Sequence, residues 1–201
     1  MTSANQKNIR FDHKIILDIV EPNSRVLDLG CGDGELLSLL INRKNVKGTG
    51  IEIDEKAVYK CMERGLTISH GDIDAELVDY ATKRFDYVIL NESLQQVLHP
   101  EKVILESLRV GKKIIVGIPN FCHVSARIQI SLFGHVPMTK ELPYEWYDTP
   151  NLRFLSLKDF RRFCRAKGIT IEKEIPLGLN QRASFLPNLF SRSGLYLLHK
   201  K

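Results

Sequence analysis

Val26-Leu27-Asp28-Leu29-Gly30-Cys31-Gly32-Asp33-Gly34 is the stretch whose reading decides the fold. Arg25 to Leu29 is a short apolar run that ends in three glycines, and Glu35 to Asn42 resumes at once with helical spacing through Leu36, Leu37, Leu40 and Ile41. A strand, a glycine turn and a helix in that order place a ligand at the carboxyl end of a parallel strand. Glycine lets the backbone turn sharply and keeps a Cβ out of the ligand's path. The spacing here is G-x-G-x-G, and Glu35 stands where a dinucleotide fingerprint has its third glycine. Asp33 and Glu35 at a helix start would also repel phosphate. The expected ligand therefore carries a cationic or zwitterionic head.

Outward from this loop the chain alternates strand and helix. Lys47 to Ile53, Leu66 to His70, Phe85 to Leu90 and Lys113 to Ile118 read as further strands. Helices are expected at Glu55 to Arg64, with Ala57, Val58, Cys61 and Met62 inward and Gly65 as its stop, and at Pro100 to Leu108, ending near Gly111. Ile114, Ile115 and Val116 suit a strand buried on both faces. The alternation predicts an α/β, doubly wound sheet with right-handed crossovers. After Pro119 the pattern changes. His123 to Phe133 is expected to be helical, with Val124, Ile128 and Leu132 on one face and Gly134 at its end. Val136 to Asn151 carries Pro137, Pro143 and Pro150 and no clear period. Leu157 to Lys167 reads as a helix capped by Gly168, and Ile169 to Ile175 and Leu195 to His199 as closing strands. The expectation is one domain over 1–201, with an insertion at about 120–156.

With 201 residues, 43% of them hydrophobic and 26% charged, the chain is neither a disordered tail nor a coiled-coil rod. Its net charge of +5 and pI near 9.0 are too mild to imply a nucleic-acid partner without a clustered patch. Lys158, Arg161, Arg162, Arg165 and Lys167 crowd one late helix, but Asp159 interrupts them and they read as a solvated face. Met1 to Arg10 is polar with no apolar run behind it, which predicts no signal peptide. No run approaches the roughly 18–20 apolar residues that span a bilayer. Cys31, Cys61, Cys122 and Cys164 are widely spaced and form no C-x-x-C pair, and no histidine pair completes a metal site. The expectation is a soluble, reduced, cytoplasmic protein without a metal.

Three acids end three successive strands. Asp28 faces the glycine loop. Glu52 lies 24 positions on, where a ribose-binding acid belongs in a doubly wound sheet. Asp72, in Gly71-Asp72-Ile73-Asp74, follows the third strand and is placed to accept from an adenine amino group. The bland alternative is that these are helix caps and loop carboxylates. Together, L-D-L-G-C-G-D-G, the acid ending strand two, G-D-I-D and F-D-Y-V-I-L-N resemble the class I S-adenosylmethionine-dependent methyltransferases over Arg25 to Asn120. That resemblance implies a Rossmann-like, seven-stranded sheet, mostly parallel with an antiparallel last strand. It also implies S-adenosylmethionine or S-adenosylhomocysteine as cofactor. The methionyl part would lie over Gly30, Cys31, Gly32 and Gly34, the ribose on Glu52, and the adenine beside Asp72 and Ile73, with Asp28, Ile53 and Asn91 completing the site.

A narrower resemblance runs through nearly the whole chain. I-E-I-D, L-Q-x-V, R-V-G and above all Leu142-Pro143-Tyr144-Glu145-Trp146-Tyr147-Asp148-Thr149-Pro150-Asn151 are similar to the methionine biosynthesis family MetW. The resemblance implies a protein of methionine biosynthesis acting with or regulating homoserine O-acyltransferase. The alternative is a methyltransferase acting on a small metabolite.

Methyl transfer from a sulfonium needs mainly proximity and orientation, so it leaves no obligatory catalytic signature. Strand four ends in Asn91-Glu92-Ser93, not in an Asn-Pro-Pro-Tyr motif, which argues against amino-group methylation of bases or glutamine. Glu92, His123, Tyr144 and Asp148 are candidate bases, although His123 also suits a helix start. Cys31 reads either as reactive or as a small residue fitted to a tight turn. Tyr144, Trp146 and Tyr147 sit in the proline-punctuated stretch and read as a lid or a partner surface, or as a plug at the core's edge.

Overall fold

The computed structural model describes residues 9–139, 141–179, 181–183 and 185–200. The leader reading rests on Met1 to Arg10, of which residues 1–8 lie outside this range. The chain begins with an unanticipated helix, α1 (Phe11–Ile19), which buries His13, Ile15 and Ile16. Then follow β1 (Arg25–Leu29), α2 (Glu35–Lys44), β2 (Lys47–Glu52), α3 (Glu55–Glu63) and β3 (Ile68–His70). A short α4 (Ile73–Glu76) and a 3₁₀ turn lead to β4 (Phe85–Asn91), and a second 3₁₀ turn (Leu94–Gln96) leads to α5 (Pro100–Val110) and β5 (Gly111–Pro119). The last part comprises α6 (Val124–Ile128), continued by a π-helical stretch (Gln129–Phe133), α7 (Leu157–Ala166), β6 (Thr170–Leu177), α8 (Pro187–Phe190) and β7 (Ser193–His199).

The sheet is seven-stranded in the order β3-β2-β1-β4-β5-β7-β6. β7 runs antiparallel between β5 and β6, and the other strands are parallel to one another. The strand order reverses between β1 and β4, which opens a crevice beyond their carboxyl ends.

Alternation along the central strands builds two cores. Leu27, Val88, Leu90, Ile114 and Val116 pack with Ile104 and Leu108 of α5 and Phe160 of α7. Val26, Ile89 and Ile115 face the other way, onto Ile15 and Ile16 of α1 and Leu36 and Leu40 of α2. A fully buried aliphatic side chain such as Ile16 is worth roughly 1.5–3 kcal/mol. On that scale α1 is an integral layer of the sandwich rather than an appendage.

Two expectations fail in instructive ways. Met62 is exposed, because α3 turns only Val58 and Cys61 into the protein. The helix after β5 forms and ends at Gly134 with positive φ, yet Ile128 and Leu132 point to solvent, as do Ile130 and Phe133. Its period is helical, but among the described residues no other element covers that face. Among the described residues no helix is long and apolar enough to cross a membrane.

Candidate functional site

The glycine loop is fixed from below by β2 and from the side by β4. Gly30 and Cys31 donate their N–H groups to the Ile51 carbonyl at 2.8 and 3.3 Å, and Ser93 Oγ donates to the Leu29 carbonyl at 2.8 Å. The loop glycines do different jobs. Gly32 has φ +56°, and a Cβ built on it meets nothing within 4 Å, so its bare side faces open space. Gly34 has φ +75°, and a Cβ there would crowd the Leu66 side chain and lie 2.9 Å from Cys61 Sγ. The bare side of Gly34 therefore faces inward, onto Leu66 and Cys61.

Beside this loop lies an inner cavity of about 150 Å³. Asp28, Gly30, Cys31, Gly32 and Asn91, all anticipated from sequence, line it together. Asp28 is 2% exposed, and its Oδ2 has no hydrogen-bond partner among the described residues. Burial first, and then the Glu52 charge, push its carboxyl up to about 7. Glu52 holds the loop rather than standing free. Its Oε2 accepts from Gly32 N at 2.7 Å, and its Oε1 accepts from Ile53 N and Asp54 N, each at 2.9 Å. Three donors leave about one of a carboxylate's roughly four acceptor positions open.

The remaining anticipated residues lie outside the inner cavity. Ile53 is exposed at the end of β2. Asp72 is exposed and caps α4, accepting from Asp74 N at 2.9 Å, so the cap reading holds for one of its oxygens. Ile73 packs partly on the core. Cys31 is a turn filler, since burial and then Asp28 push its thiol far above the usual range.

Residues that sequence reasoning missed complete the wall. Arg10 and His13 line the inner cavity. His13 is buried with Nδ1 unpartnered among the described residues, and burial lowers its pKa against the pull of Asp12. Arg10 donates to Asp12 and to Glu92, each at 2.7 Å, and Asn91 Nδ2 donates to Asp12 Oδ2 at 2.8 Å. Despite burial, which opposes it, the Asn91 amide and the Arg10 guanidinium hold Asp12 below its ordinary pKa. The available signal was the helical spacing of Phe11, Ile15 and Ile16, which places Arg10 to His13 at a helix start.

Beyond Arg10 opens an outer cavity of about 520 Å³, walled by Glu92, Gln95, Glu141, Tyr144 and Arg192 among others. Tyr144 thus faces a cavity, while Trp146 and Tyr147, 72% and 71% exposed, point outward and pack edge-to-face on each other at 5.6 Å. Of the candidate bases, Glu92 is tied to Arg10 and Asp148 is exposed. His123 caps α6, its Nδ1 accepting from Ser125 N at 3.2 Å. On α7, Arg161 pairs with Glu174, Arg162 with Asp159 and Lys167 with Glu101, as suits a solvated face.

The family described as methionine biosynthesis protein MetW matches residues 10–198, which takes in both cavities and the aromatic stretch. The chain belongs to the MetW family. A bifunctional methionine biosynthesis protein MetXA/MetW from Rhodopirellula baltica is 30% identical over 96% of this chain and 33% of its own length. This chain spans only a third to two fifths of the first curated relatives it matches. Among solved structures, a SAM-dependent methyltransferase from Archaeoglobus fulgidus superposes with TM-score 0.67 at 15% identity, covering 94% of each chain. A TehB-like SAM-dependent methyltransferase from Corynebacterium glutamicum gives TM-score 0.65 at 13% identity, covering 98% of this chain and 90% of its own. At that identity the likeness establishes the class I methyltransferase fold for this MetW chain and nothing finer.

Proposed function

We propose that this MetW chain binds S-adenosylmethionine at the glycine loop and works with homoserine O-acyltransferase in methionine biosynthesis. The observation that carries the partnership is the bifunctional relative, whose name pairs MetXA with MetW and of which this chain matches one third. Joining two activities in one chain holds them at an effective concentration of order millimolar, which serves parts that must meet. The family resemblance supplies homoserine O-acyltransferase as the second part.

The residues fit the cofactor. S-adenosylmethionine supplies a methyl group activated by a sulfonium, and its methionyl end is a zwitterion. Asp28, buried and lacking a partner, is matched to the cationic side of that end. Gly32 leaves the backbone bare where the ligand lies along it. Glu52 offers its remaining acceptor position to a ribose hydroxyl while its other bonds hold the loop. Asp72, Ile73 and Ile53, at the ends of β2 and β3, serve the adenine. The inner cavity is sized for the amino-acid end of the ligand alone, so the nucleoside rests on these exposed strand ends.

The partner face is assigned to Trp146 and Tyr147, with the exposed apolar side of the helix after β5. Sedimentation velocity on the purified chain mixed with purified homoserine O-acyltransferase, with and without S-adenosylmethionine, tests the pairing. A co-sedimenting complex is expected, and two independent species at tens of micromolar under both conditions would refute it. The outer cavity beside Arg10 favours a second reading, methyl transfer to a small acceptor. Labelled product from radiolabelled S-adenosylmethionine and a small-molecule extract would establish that activity.

A further inference from the structure

We infer that the outer cavity is a second ligand site, one that takes a free α-amino acid as a zwitterion. At about 520 Å³ it lies within the usual range for small-molecule sites. Its charged lining is two arginines and three carboxylates, Arg10 standing between Asp12 and Glu92 and Arg192 facing Glu141. Arg10 donates to Glu92 at 2.7 Å, and Arg192 Nη1 donates to both Glu141 oxygens at 3.0 and 2.9 Å. A simple anion that takes Arg10 from Glu92 strands that carboxylate, and a simple cation that takes Glu92 leaves Arg10 to Asp12 alone with its released N–H unmatched. A zwitterion entering between the two keeps both partnered.

The pairs are not equivalent. The side chains of Arg10 and Glu92 are 48% and 41% exposed, so their mutual attraction is screened and opens readily, while those of Arg192 and Glu141 are 25% and 19% exposed. Entry is therefore assigned to the Arg10–Glu92 pair, with the ligand carboxylate on Arg10 and its ammonium on Glu92. A second, independent observation points to the same place. Gln95 is 5% exposed, lines this cavity, and its Oε1 has no partner among the described residues. Its Nε2 donates to the Glu92 carbonyl at 2.7 Å, which orients the amide and leaves Oε1 as the acceptor an ammonium requires. Glu92 itself is held at φ +61°, its N–H donating to the Gly117 carbonyl at 2.9 Å. That fixed, sparsely populated conformation sets the side chain at the cavity's edge. Arg10 walls both cavities, so a ligand that engages it also touches the inner one. The Glu92 and Gln95 contacts lie outside the inner cavity, and Arg10 alone is shared with it.

The test is calorimetric titration of the full chain with the common L-amino acids, alone and with excess S-adenosylhomocysteine. The N-acetyl and methyl-ester forms of the best binder are titrated in parallel. At least one free amino acid should bind with S-adenosylhomocysteine present, and each blocked form should bind about tenfold or more weakly. Glu92→Gln and Gln95→Leu should each cost about tenfold in that binding, whereas Asp28→Asn, titrated without S-adenosylhomocysteine because Asp28 is assigned to the cofactor, should leave amino-acid binding within about twofold. If Gln95→Leu does not fold, the half-exposed Glu92→Gln carries the test alone. No heat from any amino acid at about 10 mM, blocked forms binding as tightly as the free one, or loss on Asp28→Asn but not on Glu92→Gln would each overturn the inference. The last result would place the amino acid in the inner cavity. Failure of S-adenosylhomocysteine to bind would count against the cofactor assignment and leave this site to be judged on the titrations without it.

Discussion

The glycine loop and the segment from Val124 to Phe154 lie at the same end of the sheet, one after β1 and the other after β5, and each leaves a different kind of group without a partner. At the loop the unmatched group is a carboxyl, that of Asp28, whose buried Oδ2 has no partner among the described residues. Along the segment the unmatched groups are apolar, with Leu132, Phe133, Trp146, Tyr147 and Phe154 all exposed. A buried carboxylate is satisfied by a small cation or a few donors and gains nothing from a large surface. Exposed aromatics gain little from a small polar ligand and much from a second dry surface. That contrast is what the proposed reading rests on, with a small-molecule site at the loop and a partner face on the segment.

The sharpest way to break that separation is through the glycines. Gly32→Val should abolish S-adenosylmethionine binding while the thermal melt shifts by only the cost of positive φ, about 1–2 kcal/mol. Gly34→Ala should do the reverse, losing about 1–3 kcal/mol of stability to crowding against Leu66 and Cys61. If Gly32→Val unfolds the chain, the loop is structural throughout.

Glu52→Ala should weaken cofactor binding about 10²-fold, from the loss of one charge-assisted bond worth roughly 1.5–3 kcal/mol together with the bonds that hold the loop in place, as read by calorimetry. It should leave the acyltransferase complex formed without cofactor unchanged. Trp146→Ala reverses this selectivity. A hot-spot aromatic costs about 2 kcal/mol, so the complex should weaken roughly 30-fold while cofactor affinity stays put. Equal effects on both ligands would merge the two regions into one lid.

The least direct handle on the comparison is a pH dependence. Asp28 has its carboxyl raised from 3.8 to about 7 in the fold, so between those values the folded chain holds a proton that the unfolded chain has lost. Its contribution to stability therefore falls as pH rises from 3.8 to about 7, and the full burial penalty stands above that. Asp28→Asn should raise the melting temperature of the ligand-free protein by several degrees at pH 8 and leave it nearly unchanged at pH 4, since a shift from 3.8 to about 7 corresponds to about 4 kcal/mol. A melting curve insensitive to pH would mean that water or another group satisfies Asp28.

What the sequence made legible follows the same division. β1, β4 and β5 are readable within a few residues because apolar runs bounded by glycine and acids mark strands buried on both faces, and β2, which is half-buried, is readable from its place between two helices. Asp28 and Glu52 were readable because a strand end fixes where its last side chains point. Helix α1 went unread, and with it Arg10 and His13, since what makes them matter is a contact 82 residues away at Glu92. Gln95 could be seen only as part of a recurring L-Q-x-V phrase, because its significance is an amide oxygen left unmatched after folding. Leu132 was placed on a helical face correctly, but periodicity does not say whether another element covers that face.

The central claim, that this loop is built for a cationic, zwitterionic nucleoside ligand, is tested most directly by one calorimetric comparison. S-adenosylmethionine and a nicotinamide dinucleotide are titrated into the same preparation of the purified chain. The account predicts saturable, single-site heat from S-adenosylmethionine and none from the dinucleotide. Tight binding of the dinucleotide with no response to S-adenosylmethionine would contradict it.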